Sequence, residues 1–154
     1  MEDKLNFLKN DFIFQLKHLA PDAKGKWGKM DGQQMVEHFT EAVKNASGKL
    51  KLKLMNEGEK LQQYRTFLMS EAPFPENTPN PLLGDQPIPQ KQSTMQNAIA
   101  ALQVELNDFY KYFEDHPGAT TLNPFFGELT FEQNIRLLYK HARHHLKQFG
   151  MLKE

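Results

Sequence analysis

The chain has 154 residues, the size of one ordinary domain (1–154), and its nineteen Lys and Arg balance nineteen Asp and Glu, so no excess positive charge is available to neutralise a nucleic-acid backbone. With 39% hydrophobic residues and twelve Phe the composition argues for a folded core and against disorder. Cysteine is absent, which removes disulfides, zinc fingers, iron–sulfur clusters and cysteine nucleophiles and leaves histidine as the residue to follow.

In chain order, Leu5, Leu8, Phe12, Leu16 and Leu19 recur at helical spacing and predict an amphipathic helix from about Asp3 to Leu19. Pro21, Gly25 and Gly28 break it. Asp31 and Gln34 have the spacing of a capping box that opens a second helix, whose apolar face is Met35, Phe39, Ala42, Val43 and Ala46. A connection of about forty residues follows, longer than compact domains usually carry without a function. Six of the nine prolines fall between Pro73 and Pro89. Asn56 to Met69 has spacing for a short extra helix, and Phe67, Leu68, Phe74, Leu82, Leu83 and Ile88 make the segment too apolar for a solvated linker, so it is expected to pack across the helices as a lid or crossover. A third long helix is predicted from Ser93 or Thr94 to His116, and a fourth opens on the Thr130/Gln133 capping-box spacing and closes at Gly150. With no strand pattern, these elements predict an all-α protein, a four-helix bundle with a long Pro-rich connection between helices 2 and 3. No apolar run reaches the ~20 residues of a membrane span, and MEDKLNFLKNDF is unlike a secretory signal, so a cytoplasmic protein without a membrane partner is expected.

Six histidines are present, three of them in the run KHARHH. On an ideal helix advancing ~100° per residue, His145 lies about 60° from the centre of the apolar stripe, His141 about 95° and His144 about 155°. His144 is therefore expected to face water, while His141 and His145, four residues apart, project together at the edge of the core. His38 holds a similar position, about 85° from the centre of the second helix's stripe. Three neutral imidazoles from two facing helices suit a divalent transition ion such as zinc, nickel, cobalt, iron or manganese, with coordination positions left for water or substrate. An ordinary reading also accounts for the run, because cations near a helix C-terminus complement its dipole. Around the triad, Gln34 and Glu41 flank His38, and Asn134 lies seven residues before His141, so these three are candidates for holding the imidazoles in place. His18 and His116, near helix ends, are assigned no role, and Trp27 is expected to pack as a core or staple residue.

The stretches WGKMDGQQMVEHF, FLMSEAPFPENTPNPLL and FFGELTFEQNIRLLYKHARHHLKQFG together resemble the DinB-like (DinB/YfiT) superfamily of metalloenzymes, and most of all a small branch described only as a domain of unknown function. The resemblance covers nearly the whole chain and places the family's metal-binding histidines at His38, His141 and His145. It implies an up-down-down-up four-helix bundle and a divalent metal, zinc or nickel first, with cobalt, iron or manganese as other candidates. Members of known activity use low-molecular-weight thiols in transfer or isomerisation reactions, so the resemblance implies a small-molecule substrate and a thiol-dependent S-transferase, and is compatible with a homodimer; the same metal site could instead generate hydroxide, as in a metal-activated hydrolase. A non-catalytic protein that binds a metal or small molecule in the same pocket, or a purely interaction-based helical protein, are the competing functions.

Overall fold

The computed structural model describes residues 1–77 and 86–152. Helix α1 consists of the α-helical segments Glu2–Asn6 and Phe12–Leu16 joined by a π-helical turn over Phe7–Asp11. Leu8, Phe12 and Leu16 are four residues apart, more than an α-helical turn provides, and the wider π turn keeps all three fully buried.

Helix α2 (Gly32–Ala46) opens on a complete capping box: Asp31 Oδ1 accepts from Gln34 N at 2.8 Å, and Gln34 Oε1 accepts from Asp31 N at 2.9 Å. The extra helix foreseen before the prolines is present as α3 (Gly58–Met69). Helix α4 (Met95–Asp115) is capped by Thr94, whose hydroxyl accepts from Asn97 N, and α5 (Phe131–Gln148) by the Thr130/Gln133 capping box. The main core gathers Leu8, Phe12, Met35, Phe39, Leu106 and Ile135 among others, with α2 laid mainly against α4 and with α5 touching both α1 and α2.

The described residues are mostly helical, as expected, and the one addition among them is a small antiparallel hairpin between α4 and α5. Strands β1 (Thr121–Asn123) and β2 (Gly127–Leu129) pair Thr121 with Leu129 and Asn123 with Gly127. Three residues per strand leave no room for a period-2 pattern, so hydropathy alone does not reveal them. Local chemistry forms the turn instead, because Asn123 Oδ1 accepts from the backbone of both Phe125 and Phe126, and Gly127 adopts φ +81°. Arg65 on α3 donates to the carbonyls of Phe126 and Glu128, which ties α3 to the hairpin over a second apolar cluster of Leu68, Phe126 and Leu129.

Both described ends of the Pro-rich connection are bound to the helices. At one end Lys140 Nζ on α5 donates to the carbonyls of Ser70 and Ala72, and Phe74 joins the second apolar cluster. At the other, Glu37 on α2 accepts from the backbone of Lys91 and Gln92, while Gln34 donates to the Ile88 carbonyl. Ile88 itself is exposed, against the expectation that the apolar residues here are covered. Leu82 and Leu83 lie outside the described residues.

Candidate metal centre

Helices α2 and α5 cross so that one ring nitrogen of each of His38, His141 and His145 lies within 4.8 Å of the others. His141 Nε2 is the hub, 3.2 Å from His38 Nε2 and 2.7 Å from His145 Nε2. The i, i+4 spacing on α5 makes the His141–His145 pair adjacent, and His38 enters from α2 with its ring nearly perpendicular to both. Phe39, next to His38, packs on the His141 ring at 5.0 Å and closes the inner side with hydrocarbon.

Burial decides the protonation of the cluster. It pushes His38 down from 6.5 to about 4, with His144 acting in the same direction and the Glu41 carboxylate against it. His141 and His145 are held well below the usual imidazole range, first by burial and then by their histidine neighbours. At neutral pH all three are uncharged, the form in which an imidazole nitrogen ligates a metal.

Two of the three nitrogen separations are close to those around a small dication, and the third is within 4.8 Å. Around a tetrahedral zinc with Zn–N of about 2.0–2.1 Å, ligand nitrogens lie about 3.3 Å apart. His38 and His141 are already at that distance, and the 2.7 Å pair needs to open by only about 0.6 Å, within the reach of side-chain rotation. Beside His38 lies a cleft of about 30 Å³ bordered by Gln34, Glu37, Glu41, Pro87 and Pro89, large enough for a water or two.

The residues expected around the triad are placed differently from one another. Glu41 stays close enough to His38 to act on its charge while its carboxylate pairs with Lys91 at 3.3 Å and Lys44 at 3.8 Å. Gln34 borders the cleft, but its amide is spent on the α2 capping box and on the Ile88 carbonyl. Asn134 is buried at the hairpin, where Nδ2 donates to Thr121 Oγ1 and to the carbonyls of Leu129 and Thr130. The imidazole partner that residue spacing did not single out is Gln148, whose Oε1 lies 2.7 Å from His145 Nδ1. The i, i+3 relation of Gln148 to His145 on one helix is the signal that could have found it.

His144 is only half-exposed rather than open to water. Its ring lies 5.4 Å from Trp27 and 5.9 Å from Phe74, and burial lowers its pKa while a hydrogen bond to the Phe74 backbone acts the other way. Helix phase correctly turned it away from the triad, but the loop carrying Trp27 and the strand of chain carrying Phe74 cover that side of α5. Trp27 accordingly packs on a histidine at the rim of the site. His18 and His116 donate to carbonyls of their own helices, Phe14 O and Tyr112 O, and stay outside the cluster.

Among the described residues no helix is long and apolar enough to cross a membrane. Comparison of the chain with protein-family models, with curated proteins and with solved structures returns no match.

Proposed function

We propose that the chain is a divalent-metal-dependent enzyme of the DinB-like type, an up-down-down-up four-helix bundle that holds zinc or nickel, or else cobalt, iron or manganese, on His38, His141 and His145. The observation that carries this reading is the convergence of three neutral imidazole nitrogens from two helices at the edge of the core. A dication on three uncharged ligands keeps its full charge and lowers the pKa of a bound water or thiol, which is the chemistry of a thiol-dependent S-transferase or a metal-activated hydrolase. The chain has no cysteine, so a thiol would arrive as a low-molecular-weight co-substrate. The rings of Phe39 and Phe74 lie 5.0 and 6.4 Å from that of His141 and lend the site apolar surroundings, and Glu41 supplies a carboxylate on the cleft side of His38.

A second reading is favoured by the size of the cleft. At about 30 Å³ it takes a water or an equally small ligand, which suits a non-catalytic protein that binds a metal or small molecule. Elemental analysis of untagged protein, purified without chelators, tests the metal common to both readings, and about one divalent ion per chain is expected. Turnover in a screen of thiols and electrophiles with each metal then separates enzyme from binder. Protein that remains metal-free after dialysis against each ion removes the enzyme and the metal binder, and leaves only a binder of small molecules.

A further inference from the structure

The loop between α1 and α2 closes on the last turn of α5 with unusual tightness. Lys26 N donates to the Gln148 carbonyl at 2.7 Å, and Gln148 Nε2 donates to the Trp27 carbonyl at 2.9 Å. On either side of Trp27 the chain approaches the Gln148 side chain where only a glycine fits. A Cβ at Gly25 would lie 2.9 Å from Gln148 Cγ and 2.8 Å from the Trp27 carbonyl oxygen. Gly28 adopts φ +79°, and a Cβ there would lie 2.9 Å from Gln148 Nε2. Gln148 is 3% exposed, so its amide has no solvent alternative to these partners.

This grip has a consequence for His145. A backbone carbonyl only accepts, so the amide nitrogen of Gln148 must face Trp27 and the amide oxygen must face His145 Nδ1. An amide oxygen also only accepts. The single proton of neutral His145 therefore sits on Nδ1, and the bare lone pair on Nε2 points at the centre of the triad, 2.7 Å from His141 Nε2. With the opposite tautomer, Nε2 would carry a proton and could not ligate.

We propose that Gln148 is a positioning residue that fixes the tautomer and ring orientation of His145 for metal binding, and that the Gly25–Gly28 loop holds the Gln148 amide in the orientation this requires. The inference rests on the metal reading above and adds to it the device that prepares one ligand. It also gives the glycines of the α1–α2 loop a role at a site to which they contribute no side chain.

The test uses zinc affinity of the full chain, by chelator competition at pH 7.5, together with thermal melting of the metal-free protein. Gln148→Met keeps the volume and removes both hydrogen bonds, and it is expected to weaken zinc binding about 10–100-fold. Gln148→Glu restores an acceptor for Nδ1–H but sets a carboxylate against the Trp27 carbonyl. Its zinc affinity is expected to return to within about threefold of the natural protein while its melting temperature stays below it. A packing role alone moves both readouts together, since Glu disturbs the loop contact at least as much as Met does. No loss in Gln148→Met, or equal loss in the two variants, overturns the inference while leaving the metal reading standing. Failure of the unsubstituted chain to bind zinc overturns the metal reading itself, and the inference with it.

Discussion

Lowering the pH of the metal-free protein from 7 to 5 is expected to cost it about 2 kcal/mol of stability through His38 alone. In the unfolded chain this imidazole titrates at its ordinary 6.5, and in the fold burial pushes it down to about 4. The unfolded state therefore takes up the proton first, so the contribution is whole above 6.5 and drains away as the pH falls toward 4. At 1.36 kcal/mol per unit the full span is worth about 3 kcal/mol, of which about two thirds is lost by pH 5, before most carboxylates titrate. His141 and His145 are depressed in the same direction by the same cause and steepen the loss. For a domain of this size about 2 kcal/mol lowers the melting temperature by about 4–8 °C. Circular-dichroism melts in chelator at pH 7, 6 and 5 measure this, with His38→Gln as the reference whose pH dependence is shallower by the His38 share. A melting temperature flat between pH 7 and 5, or a His38→Gln slope equal to that of the natural protein, refutes the argument that the triad is held neutral by burial.

The same cluster sets three further expectations. His38→Ala, His141→Ala and His145→Ala should each weaken zinc binding by more than the ~10–100-fold typical of losing an outer partner, whereas His144→Ala should leave it within about threefold, read by chelator competition. Calorimetry at pH 6.5 in buffers of different ionisation enthalpy should find fewer than about 0.5 protons released per zinc, where three ordinary imidazoles would release about 1.5. Lys140→Met keeps an apolar side chain but removes the ammonium that lies over the Phe67 ring and leaves the carbonyls of Ser70 and Ala72 without their donor, at a cost of about 1–3 kcal/mol. Faster proteolysis of residues 70–77, with little change in helical circular dichroism, is the expected signature of that variant.

Residues that act on near neighbours in the chain are legible in the sequence itself. Asp31 with Gln34, and Thr130 with Gln133, close capping boxes because a cap involves only the backbone of its own first turn. The apolar stripes of α2, α4 and α5 are the buried faces, and the His141/His145 pair is adjacent through helical spacing alone. Asn134 shows the limit of that reasoning: its place on the stripe is as expected, yet its amide is claimed by the hairpin at Thr121 rather than by an imidazole.

What the chain determines by itself is therefore periodic and local: where the helices start, which face each buries, and that His38, His141 and His145 border those faces. Only the tertiary structure decided the rest. His144 is partly covered because Trp27 and Phe74, 117 and 70 residues away in the numbering, are folded against it, and helix phase contains no information about what a distant loop will lay on a surface. The three-residue strands exist because Asn123 and Gly127 make a turn that α3 then clamps through Arg65, a pairing too short to leave a hydropathy pattern. Gln148 reaches His145 with its oxygen because Trp27, 121 residues earlier, takes its nitrogen. An amide has two chemically different ends, and only the partner on the far side determines which of them faces the imidazole.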